Sequence, residues 1–242
     1  MFFTNDDNIL AILSLLLPEF CRIFGKDAVV AEACEIYNFP EASCPMLEYG
    51  SPLKIRLAQK STTYWAQTIF QLSHELCHYV IRYFKQDKNE TLSWFEEIFC
   101  EAFSLYVLDW SAKNWGLCGL CECNPMFYKS IESYLEDELL KEGTSGFSEC
   151  ITLGMLKSYE ELKKPEEDRK SHKNERNVLW EEIQRNPMDC RALCYYQNYL
   201  NVDCITFDFK TWRQEHSSPL IDVIERIQPC HTEERTKKWH IL

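Results

Sequence analysis

The chain has 242 residues, 45% of them apolar and 14% aromatic, and a formal net charge of −12. That length and composition can bury a sizeable core in one large or two small domains and argue against disorder. Seven Gly and no Gly-rich loop speak against a phosphate-cradling nucleotide site, and 38 Asp plus Glu against 26 Lys plus Arg speak against a general nucleic-acid surface.

The predicted elements run as follows. Thr4 or Asn5 caps a helix whose first turn carries Asp6 and Asp7, reaching about Phe24, with Pro18 kinking or breaking it and Gly25 as a stop. Its apolar run, residues 9–17, follows Asp rather than Lys or Arg and is too short to span a bilayer, so it reads as a packed helix and not a secretion signal. With thirteen Cys in a chain that needs no disulfides to hold a core, the expectation is a cytoplasmic protein with mostly reduced thiols and no membrane partner.

Residues 28–33 form a short apolar run and a candidate strand, and 39–52, with three Pro and one Gly, read as loop. Leu53, Ile55 and Leu57 alternate with Lys54 and Arg56, the pattern of a half-buried strand. Helical patterns follow from Ser61 or Thr62 to about Phe84 and from Leu92 to Trp110, then a Cys-rich turn at 118–125. Further helices are predicted near 125–141, 150–163 and 177–186, with a hinge at Gly143 to Gly146 and a solvated, charge-dense stretch at 159–176. Residues 187–200 and 219–227 read as helices opened by Pro, and Ile205, Phe207 and Phe209 as a late strand.

The chemistry concentrates in His74-Glu75-Leu76-Cys77-His78, an H-E-x-x-H motif inside the second of these helices. Residues four apart lie one turn above each other, so two imidazoles face the same way and can bind one Zn2+, with Glu75 beside them as a base. An advance of 100° per residue puts Trp65, Ile69, Leu72, Leu76, Tyr79, Val80 and Tyr83 on one stripe and the two His roughly opposite, toward a second layer or a cleft. A catalytic zinc wants a third protein ligand. The next helix is apolar almost all round yet carries Glu97 and Glu101 one turn apart, and buried carboxylates need a cation or a metal. Glu97 is the candidate third ligand. Glu101 is the candidate acceptor for the outer N–H of a ligand His, the alternative being that both carboxylates are exposed or paired with Lys or Arg.

H-E-L-C-H, a short spacer and E-x-x-C-E-x-F-S resemble the gluzincin arrangement of zinc peptidases, most of all the ImmA/IrrE-type metallopeptidases, whose pattern is H-E-x-G-H followed by E-x-x-A-[ND]-x-F-A. The resemblance covers about residues 53–108. It implies His74, His78 and Glu97 as metal ligands, Glu75 as catalytic base and Glu101 at the Asn/Asp position, with Phe103 matching the pattern's Phe. Cys77 stands where Gly is usual, and Cys100 and Ser104 replace Ala. The motif alone also resembles the SprT-like proteases, but no His-Gly pair follows His78.

The resemblance implies an α+β fold, a zincin-like core over residues 1–123, with a mainly helical unit of unknown role over 124–242. The expected function is a zinc-dependent endopeptidase acting on a protein or peptide, a regulator or repressor in particular, with no direct nucleic-acid partner. Residues 53–59 would offer an edge strand to which extended substrate adds. The alternative is an inactive zincin-like scaffold that binds a protein partner. Cys118, Cys121 and Cys123 are spaced as half of a second zinc site, for which Cys190 and Cys194 are the nearest partner pair.

Overall fold

The computed structural model describes residues 1–85, 91–141, 172–202 and 206–227. Its fold is α+β: a small mixed sheet with helices packed against it and against one another. The chain opens with β1 (Phe2–Phe3), α1 (Asp7–Phe24) and the single turn α2 (Lys26–Val29). Then come β2 (Cys34–Asn38), β3 (Met46–Glu48) and β4 (Leu53–Leu57). The long helices α3 (Trp65–Phe84) and α4 (Ser93–Lys113) follow, then α5 (Tyr128–Leu139) and α6 (Lys173–Arg185). Short helices α7 (Cys190–Leu193), α8 (Phe209–Glu215) and α9 (Pro219–Ile227) complete the described residues. None of the described helices is long and apolar enough to cross a membrane.

The sheet order is β1-β2-β4-β3. β1, β2 and β4 are parallel, with Ile36 opposite Ile55, and β3 runs antiparallel to β4, with Leu47 opposite Ile55. The alternation read in β4 holds: Leu53, Ile55 and Leu57 are buried, while Lys54 and Arg56 pair with Glu35 and Glu48 of the flanking strands, each at 2.8 Å. The expectation that 53–59 forms an open edge does not hold. β4 is hydrogen-bonded on both sides, and the edge beyond it is β3, which lies in the stretch read as loop. The predicted strand at 28–33 is also displaced. Those residues begin with the α2 turn, and the strand is β2, where only Cys34 and Ile36 point into the core.

α1 is capped by Asp6, not Thr4 or Asn5. Its Oδ1 accepts the N–H groups of Asn8 and Ile9 at 2.9 and 3.0 Å, two donors that a helix start leaves unsatisfied. The helix continues through Pro18 and stops at Gly25, whose φ of +92° a side chain would strain. Asp6→Ala is expected to lower unfolding stability by about 1 kcal/mol, read from the urea midpoint. Glu19, buried within α1, is held by Arg22 and by the hydroxyl of Tyr106 on α4.

One apolar cluster extends from α1 and the sheet through α3 and α4 to Leu179, Ile183, Tyr196, Trp212 and Leu220. α4 is the spine of this core, packed on α3 along one side and on α5 and α6 along others. That explains why it is apolar nearly all round. The predicted helix at 187–200 is divided into a 3-10 turn (Pro187–Asp189), α7 and a second 3-10 turn (Tyr196–Tyr199). Tyr199 stacks on Trp212 with ring centroids 5.4 Å apart, a tertiary contact that overrides the local helical preference. The late strand is likewise corrected. Phe207 makes an isolated bridge to Leu200, and Phe209 begins α8, capped by Asp208, which accepts from Thr211 N–H at 3.0 Å. Ile205, the hinge at Gly143 to Gly146 and the predicted helix at 150–163 lie outside the described residues.

Candidate metal centre

The H-E-x-x-H motif sits in the middle of α3, which packs on β3, β4, α1 and α2 and also on α4. Of the predicted apolar stripe, Ile69, Leu72, Leu76, Tyr79 and Val80 are buried and Tyr83 is exposed. One turn before His74, the Gln71 amide pairs with the backbone of Ala58, accepting its N–H at 2.9 Å and donating to its carbonyl at 3.1 Å. This fixes the helix against the end of β4 just ahead of the histidines.

α3 and α4 bring His74, His78 and Glu97 together, with one ligand atom from each lying within 4.8 Å of the others. The Nε2 atoms of the two imidazoles are 3.2 Å apart, and the Glu97 carboxylate oxygens lie 3.3 Å from His74 Nε2 and 3.5 Å from His78 Nε2. A tetrahedral ion with ligands at 2.0–2.1 Å spaces those ligands by about 3.3–3.4 Å. The two Glu97 contacts are made by different oxygens, Oε2 to His74 and Oε1 to His78, so the carboxylate straddles the two imidazoles, and the nitrogen and oxygen donor set is one that zinc accepts. His74 and Glu75 are buried, Glu97 nearly so, and His78 is the member that reaches toward solvent.

The electrostatics also call for a cation. Burial pulls the pKa of His78 down, but hydrogen bonds to Glu96 and Glu97 and the charges of Glu97 and Glu75 outweigh it, and the net shift is well upward. Glu75 is thus close enough for its charge to be felt at the His78 ring. Without a metal, a proton on His78 offsets this negative field; a divalent ion would compete for the same place.

The outer positions differ from the reading of the sequence. Glu101 does not serve a histidine. Its two oxygens accept from the Lys173 ammonium at 2.7 and 2.8 Å, and the Arg176 guanidinium lies 3.6 Å away, so the alternative of a pairing with Lys and Arg is what the structure contains. Arg176 also donates to the Glu138 carbonyl at 2.7 Å. Burial lowers the pKa of both Lys173 and Arg176, and the Glu101 charge opposes it. His172, Lys173 and Arg176 are buried, which corrects the solvated reading at those positions, while Asn174 is exposed and Glu175 half-buried; residues 159–171 lie outside the described residues. The carboxylate that meets a ligand histidine is Glu96, with Oε2 3.3 Å from His78 Nδ1. The Glu96-Glu97 pair was the local signal for it, since adjacent helix residues diverge by only 100° and both carboxylates can reach one ring.

Among the described residues no Cys belongs to a cluster of metal-ligand geometry. Cys118 donates to the Ala11 carbonyl at 3.8 Å, and Cys123 is exposed. Cys190 and Cys194 are buried, and burial drives the pKa of each well up. Burial drives the Cys100 pKa well up, keeping its thiol a protonated packing group. A polar groove lined by Asp6, Glu35, Tyr37, Asn38 and Thr62 lies at the ends of β1 and β2 and contains none of the site residues. No family model, no curated protein and no solved structure matches this chain.

Proposed function

We propose that the chain is a zinc-dependent endopeptidase of the gluzincin type, similar to the ImmA/IrrE-like metallopeptidases, with the sheet, α3 and α4 as a zincin-like core. The observation that carries this reading is the convergence of His74, His78 and Glu97, one ligand atom from each within 4.8 Å of the others, with Glu75 next to His74 on the same helix. His74, His78 and Glu97 would hold the metal. Bound zinc would supply Lewis-acid polarisation of a scissile carbonyl and a water pKa lowered toward about 7. Glu75 accepts the proton of the attacking water and delivers it to the leaving amine. β3 is the sheet edge along which an extended protein substrate adds by backbone hydrogen bonds, and it packs against α3. A regulatory protein as substrate follows from the resemblance. The ten described cysteines are all free thiols, which supports a reducing, cytoplasmic setting.

Purified wild type is expected to carry about one zinc per chain by elemental analysis. His78→Ala and Glu97→Ala are expected to lower zinc affinity by more than the roughly 10–100-fold that loss of an outer partner costs. Wild type without zinc, or variants that retain it at full occupancy, would refute the proposal.

A further inference from the structure

We propose that Tyr196 is a positioning residue for the metal centre, acting through Glu96 on the ring of His78. The inference rests on the metal-site reading and adds to it a second layer supplied from the far part of the chain. Its basis is the placement of protons. The Tyr196 hydroxyl oxygen accepts the Leu92 N–H at 3.3 Å and the Gln197 amide at 3.1 Å. With both of those donors pointed at it, its own proton goes to Glu96 Oε1, 2.5 Å away. The Gln197 amide also donates to Oε1, at 3.3 Å.

One Glu96 oxygen is thereby occupied by two donors, and the other, Oε2, faces His78 Nδ1 at 3.3 Å. A carboxylate can only accept. With an ion at Nε2, the atom that faces His74 and Glu97, the remaining ring hydrogen sits on Nδ1 and faces Glu96, whose position then sets the orientation of the ring. The Tyr196 ring is fully buried and packs on Phe95 at 4.5 Å and Phe207 at 6.2 Å between centroids, so its hydroxyl has a fixed station. The orientation of a ligand on α3 is thus set by a 3-10 turn more than a hundred residues further along the chain.

The test is a double-mutant cycle on zinc affinity, measured by competition with a chromophoric chelator, with the visible absorption of the cobalt-loaded protein as a signature of ligand geometry. Glu96→Ala is expected to weaken zinc binding by about 10–100-fold and Tyr196→Phe by about 3–10-fold, with an altered cobalt spectrum. The double variant should bind no more weakly than Glu96→Ala alone. Should Tyr196→Phe disturb folding, Gln197→Ala removes a donor to the same carboxylate from a partly exposed position; it should weaken zinc by about threefold at an unchanged urea midpoint. Affinity unchanged in both Tyr196→Phe and Gln197→Ala, or a Tyr196→Phe loss that adds in full to that of Glu96→Ala, overturns the inference while leaving the metal site standing. A wild type that binds no zinc removes the metal site itself.

Discussion

Glu75→Gln is expected to keep about one zinc per chain and to lose peptide-bond cleavage by at least about 100-fold, since a positioned acid–base group contributes roughly 10²–10⁴ to such a rate. The substitution preserves size and hydrogen-bonding reach at a position that is only 2% exposed, so α3 should pack as before. Glu75 is outside the three-residue ligand cluster, and metal content should therefore follow His74, His78 and Glu97 alone. The assay pairs elemental analysis with cleavage of an unfolded protein followed over time. Loss of cleavage with retained zinc supports the endopeptidase reading. Wild type and variant that both bind zinc and behave alike in every cleavage assay would support the inactive scaffold instead.

The second large effect concerns stability. Glu101→Leu removes the anion between Lys173 and Arg176, both buried; Lys173 loses the carboxylate that accepts its hydrogen bonds, while Arg176 keeps that of Glu138 at 3.9 Å. Breaking a buried pair in this way costs on the order of 3–5 kcal/mol, far above the usual surface substitution. Because zinc binding would itself stabilise the fold, urea unfolding should be run with chelator present, so that the metal does not enter the comparison. Glu101→Leu/Lys173→Met should recover part of the loss, since one stranded cation is gone. Were Glu101 a partner of a ligand histidine, the substitution would weaken zinc and spare the metal-free protein. An unchanged urea midpoint in chelator would therefore contradict the role assigned to the carboxylate.

These two acids mark how far the sequence could be read. His74, His78 and Glu97 were legible because an i, i+4 pair on one helix and an acid on the next apolar helix are local patterns. α1, β4, α3 and α9 were legible for the same reason, their buried residues recurring at helical or strand period, and α4 from a long, nearly unbroken apolar run. Glu101 was misplaced because its partners come from 173 and 176, in a stretch whose charge density resembles a solvated surface. Glu96 was passed over because it lies off the face chosen for Glu97. β2 has only Cys34 and Ile36 facing inward, and β3 is three residues long amid prolines, so neither offers a periodic run to find. The contact from Tyr196 to Glu96 has no sequence signal at all; the core brings it about, not the spacing.

The cations that neutralise Glu101 and the hydroxyl that holds Glu96 both arrive from beyond residue 171. The stretch bearing the histidine motif is therefore expected to depend on these later residues. Trimming the chain after residue 123 would strand a buried anion and unclasp an imidazole in the same cut, so the smallest portable version of this catalyst-like architecture has to retain α6 and the tyrosine turn that follows it.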